Sequence, residues 1–553
     1  MNRLSRLTLP ELRLGLEHRL ACGLVAALLL ICSAVPAYAT TPIESALPDV
    51  VWRSEGARAQ QSLRRGDLRQ AEASLKVALA AADVSSGSLA LNAEESAQLD
   101  ASTKKTQFVS KAQLNRQLLR ILRDKRDYAG LFEYAERGRA RQFVDLLTDS
   151  ELALTDQGKT NYQIRAIDSK IRAVRLQRAL ELSQQGQLNV QLNLQLNELM
   201  QQRDVVVQDL ASKNTEWAAA YAVIYSPLQK VQAALGEGVS LIYAFDTSST
   251  ADIEYLHITS QQVTAHRIAN GQKRLMQQIM GFTDAVALGD VAGQLRALNQ
   301  MSQLLKTDTW AATKAIYVVP SRTLHSVPWS GLKTSTWVST LSNGSWLLRN
   351  KPAATPNEAH RVLGDPEYFG QLAPLPGSRG EATQIANLYS TQAVLGADAS
   401  QQALRADNNK AWSVLHLATH GMYNKAEPLK SALFFSDGKG GSSRLTAAEL
   451  LNKPVRARLV VLSACESGIG QIQADNDVLG LQRSFFISGT HSVLSSLWPV
   501  SDVATSQLMT EFHRSNAVDG AGPAFAKAVV KAKQEGFAPA VYAAFVLNGY
   551  VAP

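Results

Sequence analysis

The chain has 553 residues, of which 46% are hydrophobic and 19% charged, with 34 Gly, 18 Pro and only 3 Cys. At roughly 150 residues per domain this length implies two to four domains. The apolar fraction excludes a disordered or collagen-like chain, and so few cysteines exclude a disulfide-built scaffold. Lys and Arg total 56 against 48 Asp and Glu, a formal net charge of +8. Basic residues between positions 116 and 141 are interleaved with Asp124, Asp127, Glu133 and Glu136. That is the pattern of a solvated helical face rather than of a nucleic-acid-binding stripe.

Residues 1–19 carry Arg3, Arg6, Arg13 and Arg19 against Glu11 and Glu17. An uncharged apolar run follows over 21–35, and then Pro36-Ala37-Tyr38-Ala39. A basic stretch, an apolar stretch and an Ala-x-Ala site in this order spell a secretory signal cleaved after Ala39. The apolar run is shorter than the ~20 residues a membrane-spanning helix needs. The expectation is a periplasmic or secreted protein, with an inner-membrane signal anchor as the alternative. Cleavage would remove Cys22 and Cys32 and leave Cys465 as the single thiol. An unpaired thiol is a liability in an oxidising compartment, so its retention calls for a reason.

The first half reads as helix. Over 57–83 small and apolar residues recur at Ala59, Leu63, Ala71, Leu75, Ala78 and Leu79, with Gly66-Asp67 breaking two helical runs of about ten residues each. This resembles one tetratricopeptide unit, a motif of about 34 residues that is stable only in stacks. A second unit is placed over 111–147 by Tyr128, Leu131, Phe132, Ala135 and Ala140. An ordinary helical hairpin is the alternative. Residues 84–110 read as a Ser- and Ala-rich connection with a short helix. A long helical pair is expected over 160–218. Within it Leu188, Val190, Leu192, Leu194 and Leu196 alternate with polar residues, as a strand would, yet Leu188, Leu192, Leu196 and Leu199 also fit helical spacing, and helix is the reading taken.

After residue 236 short apolar runs bounded by turns appear, at 239–245, 253–258 and 263–268, an antiparallel meander. A helical stretch over 273–305 leads to a buried strand over 315–320. From 356 onward strands at 361–363, 413–418, 458–463 and 490–497 alternate with helices at 378–390, 445–452, 477–488, 502–514 and 522–534. Single helices between strands imply a parallel sheet with right-handed crossovers.

Two of these strands end in chemistry. One runs into His420-Gly421 and the other into Cys465-Glu466-Ser467-Gly468. Functional groups of open α/β sheets sit beyond the carboxyl ends of strands, and a thiol beside an imidazole makes a nucleophile–base pair. The imidazole lowers a thiol pKa of ~8.5 and carries the proton. The backbone N–H groups of Gly421 and Cys465 are candidates for an oxyanion hole. His416 lies mid-strand and reads as a core histidine. No G-x-S-x-G, H-E-x-x-H, C-x-x-C or phosphate-binding loop is present, and no metal or organic cofactor is implied.

The segments 415–421 (LHLATHG), 460–468 (VVLSACESG), 479–490 and 494–502 together resemble the CHAT domain, a caspase-like, clan CD cysteine peptidase domain related to separases and often preceded by tetratricopeptide repeats. Residues 134–141 resemble the join that follows such repeats. Val318-Val319-Pro320 with 324–329, and Leu375-Pro376-Gly377 with Glu381-Ala382, resemble further stretches of the domain. The resemblance implies that Cys465 is the nucleophile and His420 the base of a cysteine endopeptidase. It also implies that Asp502 lines a P1 pocket selective for basic residues, although Asp502 equally suits a helix N-cap. Asn476-Asp477 depart from the family's Gly-rich pattern.

The expected architecture is therefore a signal peptide (1–39), tetratricopeptide-like repeats (40–150), a long helical hairpin (151–225), the first part of a CHAT region (226–355) and a caspase-like α/β catalytic domain (356–553). The expected partners are a protein or peptide substrate and a regulatory protein bound by the repeats, with no nucleic acid. The alternative is a catalytically silent scaffold that binds proteins.

Overall fold

A computed structural model describes residues 42–89, 101–149, 158–185, 189–213, 226–247, 251–348, 359–405, 411–424, 427–463, 471–472, 478–500 and 502–552. The chain divides into two units, residues 1–134 with 143–213 and residues 135–142 with 214–553. The signal-peptide reading and the 464–470 segment lie outside the described residues.

The first unit is built of paired helices: Pro42–Arg64 with Leu68–Leu89, Ala101–Asp124 with Tyr128–Asp149 (of which 135–142 belong to the second unit), and Gly158–Gln185 with Val190–Lys213. The first two turns use one device. Gly66 (φ 75°) and Arg126 (φ 59°) adopt the left-handed conformation that ends a helix. The following Asp67 and Asp127 then accept hydrogen bonds from the N–H groups of Gln70 (3.0 Å) and Gly130 (2.9 Å), capping the next helix. This local recurrence agrees with two related units. The helices are twice as long as the sequence spacing implied, and two of them extend into the stretch read as a connection, over 84–89 and 101–110. From Val190 onward the ambiguous leucine stretch is helical, Leu188 lying outside the described residues: Leu192, Leu196 and Leu199 are buried against Ile171 and Val174, while Val190 and Leu194 face solvent. Burial of one helical stripe thus overrides the alternation.

The second unit is organised around an eleven-stranded sheet. Its strands are β1 (Val239–Phe245), β2 (Ile253–Ile258), β3 (Val263–Ile268), β4 (Ala315–Val319), β5 (Val338–Thr340), β6 (His360–Pro366), β7 (Ala393–Gly396), β8 (Trp412–Ala418), β12 (Ala457–Leu462), β15 (Ser492–Ser496) and β16 (Phe545–Gly549). Their order is β3-β2-β1-β4-β5-β16-β15-β12-β8-β6-β7. The pairs β1/β2, β2/β3 and β15/β16 are antiparallel, and the other neighbours run parallel. Because β15 and β16 oppose each other, the parallel-paired strands form two sets pointing opposite ways, β1, β4, β5 and β16 in one and β6, β7, β8, β12 and β15 in the other. The carboxyl ends of β4 and β8 therefore lie on opposite edges. Strands β1, β4, β8 and β15 are buried throughout, as strands covered on both faces must be. Among the described residues no helix is long and apolar enough to cross a membrane.

The stretch between the two candidate catalytic strands is not a simple loop. The short strand β9 (Gly421–Met422) pairs with a hairpin of β10 (Ala432–Ser436) and β11 (Ser442–Thr446). Asp437 closes its turn by accepting the N–H groups of Lys439 (2.7 Å) and Gly441 (2.8 Å), and these bonds hold its carboxyl below the usual range. The expected helix over 445–452 accordingly starts later, at Ala447, behind a capping box of Thr446 and Glu449. The helix expected over 477–488 is shorter, Leu481–Ile487, because Val478–Leu479 forms a strand (β14) with Gln471–Ile472 (β13).

Residues 135–142 carry a correction to the charge reading. Glu136 and Arg139 are not on a solvated face but buried within the second unit, 2% and 4% exposed. The Glu136 carboxylate accepts from the N–H groups of Gly344 and Ser345 (both 2.9 Å) and from the Ser345 hydroxyl (2.6 Å). Arg139 donates to the Ala244 and Pro320 carbonyls (2.7 and 2.8 Å), at the carboxyl ends of β1 and β4. Burying these charges is tolerable only because each meets several partners.

Strand β16 joins the half-sheets. Ser330 donates to the Phe545 carbonyl (2.7 Å), Ser339 to that of Gly549 (2.8 Å), and Asn548 to that of Val493 (3.3 Å).

His416 is a core residue, as expected, and belongs to a buried polar chain. Its Nδ1 lies 3.0 Å from Nε2 of His513, and its Nε2 lies 3.0 Å from the Glu381 carboxylate. Asn516 donates to the Tyr389 hydroxyl (3.1 Å), which lies 2.9 Å from His513 Nδ1. His360 stacks on Tyr389 at 4.1 Å. Burial, together with His416 and His360, pushes the His513 imidazole well below its ordinary value.

Two predictions follow from these buried groups. Glu136→Ala leaves two N–H groups and a hydroxyl unmet, and should lower the denaturation free energy by about 3 kcal/mol or more; urea unfolding would read it. The native state binds the His513 proton less readily than the unfolded chain does. Stability is therefore lost as pH falls below about 6.5 toward the lower folded value, by up to about 1.4 kcal/mol per pH unit. Melting temperatures from pH 8 to 5 should fall more steeply in the wild type than in His513→Gln.

Candidate active site

His420 stands two residues beyond β8, partly exposed. Strand β8 is flanked in parallel by β6 and β12, with Ala418 opposite Gly364 and Leu417 opposite Leu462. The ladder with β12 runs one residue further through the Ser463 N–H, which donates to the Leu417 carbonyl (3.0 Å). The two strands are thus level: His420 follows Leu417 by three residues, and Cys465 follows Leu462 by three. Cys465 itself lies outside the described residues.

The imidazole of His420 is oriented by the segment after β6. Its Nε2 lies 2.8 Å from the Ala373 carbonyl. A carbonyl only accepts, so Nε2 carries the proton and Nδ1 is the nitrogen with a lone pair. The ring of Tyr368 sits 5.2 Å from the imidazole, and its hydroxyl accepts from the His420 N–H (3.2 Å) and contacts the Thr419 hydroxyl (2.9 Å). Thr419 in turn donates to the Phe434 carbonyl. Burial raises the Tyr368 phenol above its ordinary value, although its bonds to Thr419 and His420 oppose this, so the hydroxyl stays protonated.

The main chain of His420 is fixed by β10 as well, its carbonyl accepting from the Phe434 N–H (3.0 Å). Pairing groups alternate along a strand, so the Gly421 N–H points away from β10. Asp502 is the first residue of the Asp502–Asp519 helix, which follows β15 on the same edge; its side chain lies outside the described residues.

The 366–375 segment has its own supports. Arg379 pairs with Asp365 (2.7 Å), and the Ser378 hydroxyl accepts from the Asp365 N–H (2.8 Å). Gln371 receives the Ser442 N–H and hydroxyl from the hairpin. Gly364 permits all of this, since a Cβ there would stand 2.5 Å from the Ser378 carbonyl oxygen and 2.6 Å from the Ala382 Cβ. Sequence reasoning missed Tyr368, Ala373 and Thr419. Thr419 stood inside the quoted LHLATHG stretch, whereas Ala373 acts through its backbone and carries no residue signature.

The comparisons with known proteins bear on this arrangement. Residues 288–549 match the family model described as CHAT domain, a span that includes His420 and every strand from β4 to β16. The chain carries a CHAT domain preceded by tetratricopeptide-like helices. It is similar to tetratricopeptide repeat protein 28 of Homo sapiens, 26% identical over 249 residues, and of Mus musculus, 27% over 231 residues. These matches take in 37% and 34% of this chain but 10% and 9% of the relatives, so the chain spans about a tenth of their length. Among solved structures it is similar to the Saccharomyces cerevisiae separase–securin complex, with 11% identity, 82% of this chain and 38% of that chain covered, and a TM-score of 0.39. A second structure of that complex covers 96% and 51%, with a TM-score of 0.37.

Gly364→Ala should destabilise the second unit by about 1–3 kcal/mol, because β6 and the Pro376–Leu388 helix must separate. Denaturant unfolding would measure the loss.

Proposed function

We propose that the protein is a cysteine endopeptidase that uses Cys465 as nucleophile and His420 as general base. The observation that carries this reading is the Ala373 carbonyl on His420 Nε2, which leaves Nδ1 as acceptor beside the strand end that leads to the thiol. In this reaction the Cys465 proton passes to Nδ1, and the thiolate adds to the scissile carbonyl. The oxyanion takes the Gly421 and Cys465 N–H groups, an interaction of roughly 3–4 kcal/mol at such sites. The imidazolium then protonates the departing amine, and water hydrolyses the thioester. Asp502 recognises a basic P1 side chain, and the tetratricopeptide-like helices recruit the substrate or a regulator. The signal-like residues 1–39 direct the chain to the periplasm or outside the cell.

A silent binding scaffold is the second reading. The reason to hold it is that a thiolate outside the cytosol is open to oxidation. One experiment separates the two: the new protein termini produced by wild type, Cys465→Ala and His420→Ala. The peptidase reading expects termini that vanish in Cys465→Ala and fall by about 100-fold or more in His420→Ala, with Lys or Arg before the cut. Identical termini in all three proteins support the scaffold.

A further inference from the structure

We propose that Tyr368 is a positioning residue for His420, fixing the imidazole's main chain and, through the segment it shares with Ala373, its tautomer. The inference rests on the Cys465–His420 reading above and extends it.

The ladder of β8 with β6 ends at Ala418, so Thr419 and His420 need other partners. The hydrogen-bond directions there are settled by elimination. The Thr419 proton is committed to the Phe434 carbonyl, so Thr419 accepts from the Tyr368 hydroxyl. The Tyr368 oxygen accepts from the His420 N–H. The result is a one-way chain from His420 N–H through Tyr368 and Thr419 to the β10 backbone, in which each bond polarises the next. Tyr368 and Thr419 are each 3% exposed, so a lost hydroxyl is not simply replaced by solvent. The same side chain lays its ring against the imidazole at 5.2 Å, tilted by 45°. Five residues on, Ala373 accepts Nε2. A residue that ties the backbone of the base and the loop that orients its ring controls both where Nδ1 points and which nitrogen is protonated.

The test uses the full chain and Tyr368→Phe, which keeps the ring and removes the oxygen. Iodoacetamide alkylation of Cys465 is followed from pH 5 to 9, with melting temperature as the folding control. The wild-type profile is expected to inflect below the ~8.5 of a free thiol. Tyr368→Phe should move the inflection upward by about half a pH unit, which is about a threefold loss of rate at pH 6.5, while rates at pH 9 stay equal. A purely structural hydroxyl would change melting and leave the inflection in place, and a wild-type profile in the folded variant overturns the proposal. If Tyr368→Phe does not fold, Thr419→Val carries the test with the same expected shift; an unchanged profile, or failure of that variant to fold as well, overturns it. A wild-type profile that already inflects at the free-thiol value instead overturns the parent Cys–His reading, and the positioning role falls with it.

Discussion

Strand β8 is held on both sides by parallel partners, β6 at one edge and β12 at the other, and the candidate site depends on that double pairing. A parallel ladder fixes register residue by residue, and a slip of one would turn His416 out of the core and exchange the faces of every neighbour. With register fixed, the carboxyl ends of β8 and β12 are level, and whatever follows them must emerge side by side. The apolar run of β8 exists to secure this position, since its seven residues are all buried. The chemistry itself begins only where the ladder stops.

Beyond the ladder, polar groups take over from backbone pairing. The 366–375 segment reaches His420 through one carbonyl and one phenol, and it is anchored by an ion pair, a serine and a glutamine. Further back along the strand, His416 is enclosed between Glu381 of the Pro376–Leu388 helix and His513 of the Asp502–Asp519 helix. The histidine within β8 and the one beyond its end thus live in different regimes. His416 is enclosed between two helices, while His420, four residues on, sits at the solvent boundary with one nitrogen committed. Position along the strand, not residue type, separates structure from chemistry.

Much of this was legible beforehand. The three meander strands β1–β3 fall where the short turn-bounded apolar runs put them, and β8 and β12 follow from continuous apolar runs. The His420 strand end was readable because a polar residue directly after such a run has nowhere to hide. The antiparallel junction of β15 and β16 was not readable, since strand direction in a sheet depends on partners distant in sequence. The β10–β11 hairpin is absent from the expected strands because its Asp-Gly-Lys-Gly-Gly turn dominates the composition. Glu136 and Arg139 were misread because interleaved charges look alike whether they face water or carbonyls. Ala373 had no signature at all.

The position of β16 has a consequence for the order in which the sheet is completed. It is the last of the strands in sequence, yet it lies between β5 and β15 in the middle of the sheet. As the ribosome releases the chain, each half-sheet can form its own ladders long before the two meet. Until residues 545–549 emerge, both halves present an unpaired central edge, the kind of surface that other chains pair with. Closing the sheet is therefore a late, long-range event, and the interval before it is when the nascent protein is most exposed to misassembly.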